Sequence, residues 1–334
     1  MALNTTERLQ EAFSLALEDR SRGYADLVSN SNAILHLMKK KNGFKKFSGP
    51  TIRERLLYNE SNTYTRYSGY QLLNPRPAEL FNDAEFIPKL AAVTITLSGE
   101  DILKNSGSNQ LKDIMEEHIM AAEQELEDRF YEDLHSDGTA DGGKQVTGLK
   151  AIIPTVADAG MYGGIDRAAQ PLWRTKSYDI STDPFGDGNT TVTDQTIRRI
   201  MSNAIIQMTR GKRSPDCFAM SAEHYVEYEK SVQEIQRITD EGGLASRGFT
   251  SLKYHGGGRS VDVVLEGGIG SVMPANTTYM LDTKCMKFRY HPDRNFSKFG
   301  GKQMPVNQDA IVQHVGFFGN LTLNNPLHTG KFFG

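Results

Sequence analysis

The stretch NSGSNQLKDIMEEHIMAAEQELEDRFYEDL, Asn105 to Leu134, carries the strongest helical signal in the chain. Leu111, Met115, Ile119, Ala122, Leu126, Phe130 and Leu134 recur at three- and four-residue steps and form one apolar stripe, while Glu, Asp, Gln and Lys fill most other positions. At 1.5 Å per residue such a helix spans roughly 45 Å, more than a small domain is wide. Asp137-Gly138 and Gly142-Gly143 end it. A helix this long with a single apolar stripe needs a broad surface to lie on.

Working back toward the start, Phe86 to Leu97 reads as a strand, clearest at Val93-Thr94-Ile95-Thr96-Leu97. Before it, Ser48 to Pro77 is rich in β-formers: Thr51, Ile52, Leu56, Leu57 and Tyr58, then Thr63, Tyr64, Thr65, Tyr67, Tyr70, Leu72 and Leu73. Asn59 to Asn62 supplies a turn, so a long two-stranded hairpin is expected, closed by Asn74-Pro75-Arg76-Pro77. An isolated hairpin is marginal in water, and its aromatic side chains call for another surface. Thr5 to Met38 reads as one or two helices stopped by Lys39-Lys40-Lys41 and Asn42-Gly43, with Gly43 expected in the left-handed turn.

The second half alternates. Strands are expected at Ala151–Pro154, Asp216–Met220, Val261–Leu265, Thr277–Leu281 and Met286–Tyr290, and helices at Asp194–Arg210 and Ala222–Ile238. Gly242 to Gly258 reads as a mobile glycine-rich region, and Asp309 to Leu323 as two strands interrupted at Gly316 and Gly319. No βαβ unit or internal repeat occurs, so the fold class is α+β.

The 334 residues suffice for one or two domains, and 38 Lys+Arg against 41 Asp+Glu disfavour a generally basic nucleic-acid binder. No apolar run approaches the length of a membrane span, and Met1 to Arg22 lacks a secretory apolar region. Cys217 and Cys285 stand far apart without ligand-spaced partners, which excludes a disulfide scaffold and a Cys-based zinc site and fits a reducing compartment. A soluble, non-secreted protein is expected. Gly138 to Lys144 matches half of a phosphate-binding loop, but Gln145 stands where Ser or Thr should hold magnesium, and a long helix precedes it. Asp179, Asp183 and Asp187-Gly188 lack calcium-loop spacing, and His224 has no second His four residues away. No catalytic, cofactor or metal constellation stands out. The Lys39–Lys41 and Lys45-Lys46 cluster suits either a solvated helix end or contact with phosphates, and Arg210-Gly211-Lys212-Arg213 is explained by the end of a helix.

An amphipathic arm, an aromatic hairpin and an overlong helix all need partners. Their order resembles that of the major capsid proteins of tailed bacteriophages, the Hong Kong 97-type fold family. Local phrases carry the resemblance along nearly the whole chain: Tyr67-Ser68-Gly69-Tyr70, Gln145-Val146-Thr147-Gly148-Leu149, and Tyr162-Gly163-Gly164-Ile165-Asp166-Arg167 leading to Trp173-Arg174. Lys287-Phe288-Arg289-Tyr290-His291-Pro292 with Arg294 and Phe296, Val306-Asn307-Gln308-Asp309-Ala310, and Gly319-Asn320-Leu321-Thr322 continue it.

The resemblance implies a non-catalytic subunit of an icosahedral shell, in the virion capsid and assembled in the bacterial host cytoplasm. Residues 1–47 would be an N-terminal arm and 48–88 an extended E-loop over the adjacent subunit. The peripheral domain would comprise 89–145 and 284–312, and the axial domain 146–283 and 313–334. Inter-subunit contacts would come from Arg53, Arg55, Tyr58, Tyr64, Arg66, Tyr67 and Tyr70 of the E-loop, and from His291, Asp293, Arg294 and Lys298 of a loop near three-fold axes. Expected partners are further copies in pentamers and hexamers, a portal, a decoration protein and, since the hairpin begins by Ser48 and leaves room for no large built-in scaffold, a separate scaffolding protein or none. Packaged double-stranded DNA would be touched only non-specifically, no membrane is involved, and an encapsulin-like nanocompartment is the alternative. Some relatives join subunits by a lysine–asparagine isopeptide bond. Asn295 and Asn307 could accept, but no lysine lies between Lys46 and Lys89. The E-loop cations are Arg53, Arg55, Arg66 and Arg76, which cannot act as that nucleophile, so a non-covalent shell is expected.

Overall fold

Along the computed structural model, described for residues 32–57, 64–73, 81–100, 108–233, 251–266, 272–303 and 309–334, the elements begin with helix α1 (Ala33–Lys40) and strands β1 (Phe44–Lys46), β2 (Ile52–Leu57), β3 (Phe81–Phe86) and β4 (Lys89–Ser98). Helix α2 (Ser108–His135) is followed by single turns at Ala140–Gly143 and Leu149–Ile152, then strands β5 (Met161–Tyr162), β6 (Ile165–Asp166) and β7 (Lys176–Asp179). Next come α3 (Ile197–Met208), β8 (Cys217–Met220), α4 (Ala222–Gln233), β9 (Ser251–Gly256) and β10 (Arg259–Leu265). Strands β11 (Thr277–Leu281), β12 (Met286–Gln303), β13 (Ala310–Leu323) and β14 (Gly330–Phe333) follow.

The expected long helix is α2. Its buried stripe includes Ile119, Leu126, Phe130 and Leu134, and it lies against a four-stranded sheet ordered β1-β12-β13-β4. Phe130 is the keystone, with its ring 5.4 Å from Phe288, 5.4 Å from Phe296 and 5.6 Å from Phe317. Three edge-on contacts of this kind favour aromatic packing beyond area burial alone.

A second, mixed sheet is ordered β7-β14-β11-β8-β10-β9. Strands β8 and β11 are buried at every position. Their alternate residues serve two cores: Cys217, Ala219, Tyr279 and Leu281 join the cluster that includes α2, while Phe218, Met220 and Met280 join α3 and α4. That double burial explains why β8 is a continuous apolar run and why neither strand alternates between buried and exposed positions.

Several expectations are corrected. Ala151–Pro154 is not a strand: Leu149–Ile152 forms a helical turn, with Leu149, Ile152 and Ile153 fully buried, and a short apolar run does not distinguish the two. Asp309–Leu323 is one strand rather than two. The glycines keep it passable, because a Cβ at Gly316 would meet the Phe299 ring and one at Gly319 the Arg289 carbonyl. The expected domain break at 312/313 therefore falls inside β13. Met286–Tyr290 extends to Gln303. The strand expected over Phe86–Leu97 is split, with β3 ending at Phe86 and β4 starting at Lys89, after Pro88. Within Gly242–Gly258, residues 251–258 form β9 and the turn into β10, while 242–250 lie outside the described residues.

At the end of α1 the left-handed residue is Asn42 (φ 57°), not Gly43. Gly43 is required there because a Cβ would sit 2.9 Å from the Met38 carbonyl oxygen. The expected helices from Thr5 on lie outside the described residues as far as residue 31, as does the expected end of α4 at Ile238.

Candidate functional site

The expected hairpin exists, but with a different partner strand. Strand β2 pairs antiparallel with β3, from Ile52 opposite Phe86 to Leu57 opposite Phe81. The second strand was expected within Thr63–Leu73. Residues 64–73 form no ladder, whereas Ala84 and Phe86 supply an apolar alternation that matches Ile52 and Leu56.

This base is amphipathic by alternation. Ile52, Glu54, Leu56, Ala84 and Phe86 are buried, and Arg53, Arg55, Asp83 and Glu85 face outward. Phe86 packs 5.0 Å from the Tyr162 ring, and Trp173 Nε1 donates to the Tyr162 carbonyl at 2.8 Å. Glu85 N–H donates to the Gly163 carbonyl at 3.0 Å, so the β5–β6 ribbon seats the base.

Glu54 is only 3% exposed. It accepts from Lys287 Nζ at 2.8 Å, Arg289 Nε at 2.6 Å and Thr322 Oγ1 at 3.2 Å. Burial alone would raise its carboxyl pKa, but the Arg289 and Lys287 hydrogen bonds and charges outweigh that and hold it below the usual carboxylate range. The hairpin is thus clamped onto β12 and β13. Sequence reading missed this clamp. Its trace was the period-2 row Ile52-Glu54-Leu56, which places one acid on an apolar face, and the matching row Lys287-Arg289 on β12.

Beyond the base, Tyr64, Tyr67, Tyr70, Leu72 and Leu73 are 84%, 63%, 107%, 98% and 56% exposed. Half of the large apolar side chains that stand exposed among the described residues fall between Tyr64 and Leu90. Arg53 pairs with Glu85 at 3.0 Å and Arg55 with Asp83 at 3.9 Å across the hairpin, and Arg55 lies 5.6 Å from the Phe81 ring centre. Arg66 is exposed. Tyr58, Arg76 and Asn307 lie outside the described residues.

His291, Asp293 and Arg294 were expected in a loop, and the structure places them in a bulge of β12. Tyr290 to Asn295 there face only Phe317 to Gly319 of β13. Asp293 N–H donates to His291 Nδ1 at 3.3 Å, and the Arg294 guanidinium sits 4.2 Å over the Phe299 ring. Phe296 (φ 53°) turns inward and anchors the bulge 4.9 Å from Phe317. Lys298 sits on the regular ladder opposite Val315.

The remaining candidates have structural partners. Lys89 Nζ donates to the Gly143 carbonyl in the glycine loop. Asp183 accepts from the N–H groups of Asp187 and Gly188, both at 3.0 Å, and Asp187 pairs with Arg199 at 3.3 Å. His224 Nδ1 lies 2.9 Å from Thr278 Oγ1, and burial lowers the ring pKa to about 4. Both cysteines are buried, and burial pushes the Cys285 thiol up to about 12. Among the described residues no group of three or more His, Cys, Asp or Glu could hold a metal, and no helix is long and apolar enough to cross a membrane.

No family model and no curated protein matches the chain in sequence. Its fold does match solved structures. A cyanophage A-1(L) capsid asymmetric unit superposes with TM-score 0.63 at 14% identity, covering 89% of this chain and 91% of the other. A satellite phage P4 procapsid gives 0.52 at 8% identity over 92% and 95%. The capsid of a native GTA particle gives 0.52 at 8% identity over 89% of each chain. The class is thereby defined: this is a phage-capsid fold. More particularly, the chain has the α+β Hong Kong 97-type fold of major capsid proteins, as the sequence resemblance implied.

Proposed function

We propose that this chain is a phage major capsid protein that assembles with copies of itself into a closed icosahedral shell around the genome. The role is structural, without catalysis. The observation that carries the reading is the hairpin: its base is clamped to its own sheet, and its tip holds out Tyr64, Tyr67, Tyr70, Leu72 and Leu73 with nothing of its own to bury them. On this fold the tip is an E-loop reaching over a neighbouring subunit, with Arg66 beside it. The bulge at His291, Asp293 and Arg294, with Lys298, forms a second contact near three-fold axes. Many modest contacts repeated by closed symmetry give a stable assembly.

The domain division follows the sheets, except that β1 of the arm joins the sheet of the peripheral domain. Residues up to 47 form the arm and 48–88 the E-loop. The peripheral domain holds α2, β4, β12 and β13 and so extends to Leu323, with the axial domain around the six-stranded sheet. Portal, scaffolding and decoration proteins are the partners this role calls for, within the host cytoplasm and then the virion. The shell is non-covalent, because the E-loop offers arginines rather than a lysine amine. Subunits from boiled particles should run as single chains.

Replacing residues 64–73 with a short Gly/Ser linker tests the reading. This cut spares β2, β3 and Glu54. Electron microscopy and sedimentation should show rings or shells for the full chain and only unassembled, folded protein for the variant. Normal shells from the variant, or a full chain that stays monomeric under all assembly conditions, would refute it.

A further inference from the structure

Two basic runs far apart in the sequence meet in the structure. Lys41, at the end of α1, pairs with Asp216 at 2.8 Å, just beyond Lys212-Arg213. Beside this pair opens a cleft of about 640 Å³ whose walls carry Lys212, Arg213, Arg259 and Lys284 against Asp216 and Asp282.

Both carboxylates are already engaged. Asp216 also accepts from Thr283 N–H at 3.0 Å and Thr283 Oγ1 at 3.0 Å. Asp282 accepts from the Cys285 thiol at 3.1 Å and from Lys284 N–H at 3.2 Å. The cations are not balanced in the same way. Lys212 and Lys284 are exposed and make no ion pair among the described residues. Arg213 only approaches Cys285 Sγ at 3.7 Å, and Arg259 donates to the Gly211 carbonyl at 2.7 Å. The cleft is therefore a concave surface with excess positive charge.

We propose that this cleft binds the phosphate groups of a nucleic-acid backbone without reading sequence. Three features favour phosphodiester over an acidic protein segment. Protein interfaces deplete lysine and are built on buried apolar anchors, whereas two of the four wall cations are lysines and Pro215 is the sole sizeable apolar side chain on the walls. Nucleic-acid interfaces are more polar and more positive. Ser214, Ser260 and Asn324 add the neutral donors that commonly accompany Lys and Arg on phosphates. The overall charge balance disfavoured a generally basic binder. It does not bear on a local cleft assembled from separate segments around Arg213, Arg259 and Lys284.

The test is fluorescence anisotropy of a labelled mixed-sequence DNA duplex against the full chain, titrated at several salt concentrations. The triple variant Lys212→Gln, Arg213→Gln, Lys284→Gln should bind about tenfold or more weakly. Its slope of log K against log salt should be smaller by roughly 0.9 for each phosphate that is no longer neutralised. Lys45→Gln with Lys46→Gln, exposed and outside the cleft, should change little. Circular dichroism verifies folding, and the single variants Lys212→Gln and Lys284→Gln, both at exposed positions, give the same direction with less perturbation. Unchanged binding by the triple variant, or equal weakening in the Lys45/Lys46 control, overturns the proposal. So does displacement of the labelled duplex by poly-glutamate as readily as by polyphosphate, which would assign the cleft to an acidic protein segment. Assembly is scored separately: a chain that forms shells but binds no DNA defeats this inference alone, and a monomer that binds DNA through the cleft defeats only the shell reading.

Discussion

The two halves of one hairpin follow opposite rules. At its base, every second side chain is buried, β2 and β3 complete a ladder, and Glu54 is gripped by Lys287 and Arg289 from β12. At its tip, three tyrosines and two leucines face solvent without a ladder. The base is buried within the chain's own fold; the side chains of the tip are not. A conformation that would be a liability in a lone molecule is tolerable where another copy covers it.

Substitutions should separate the halves, and the largest effect belongs to the base. Phe86→Ala removes a buried ring seated on Tyr162 and should cost about 3–5 kcal/mol in urea unfolding. A loss below 1 kcal/mol would mean the base is not part of the cooperative fold.

Glu54→Ala comes next. It strands Lys287 and Arg289, whose side chains are 22% and 19% exposed, so some of their charge can reach water. The expected loss is about 3 kcal/mol, at the lower end for a broken buried pair. If Glu54→Met combined with Lys287→Met and Arg289→Met restores most of the stability, the cost lay in the two orphaned cations.

The same carboxylate predicts a smaller, pH-dependent effect. Its pKa is lower folded than unfolded, so its contribution is full above the ordinary value of 4.5 and disappears as pH falls through the lower folded value. The stability gap between wild type and Glu54→Gln should narrow below about pH 4.5. A constant gap down to pH 3 would show that the pairing is not charge-dependent.

The smallest effect on folding is expected at the tip. Tyr70→Ser with Leu72→Ser should shift unfolding by less than about 0.5 kcal/mol, because neither side chain is buried within the chain. A large shift would make the tip part of its own subunit's core and erase the contrast with the base.

Much of this was legible in the chain. The α2 stripe announced its own burial, since 3.6-residue periodicity over seven positions has few other readings. Asp216–Met220 and Thr277–Leu281 read as strands, and the structure places β8 and β11 there. What escaped was pairing. Nothing local tells Ile52–Leu57 to choose Phe81–Phe86 over the nearer Thr63–Leu73, because the decision rests on Phe86 finding Tyr162 and Glu54 finding Lys287 and Arg289. The clamp and the basic cleft escaped for the same reason, each being a meeting of residues that sequence keeps far apart. Gly316 and Gly319 were misread as interruptions when they mark close approach by Phe299 and by the Arg289 carbonyl.

The order of strands in the four-stranded sheet also sets a clock. Thr94 of β4 meets His314 of β13 across 220 residues of chain. At ribosomal speeds of several residues per second, β4 waits roughly 10–40 s for the strand that completes it. Through that interval Val93-Thr94-Ile95-Thr96 is an uncharged β-forming segment without the strand that pairs with it. Folding dominated by such distant pairings is intrinsically slow. The surface on which α2 rests is therefore complete only once β12 and β13 have been made, so most of the chain must leave the ribosome before this core can close.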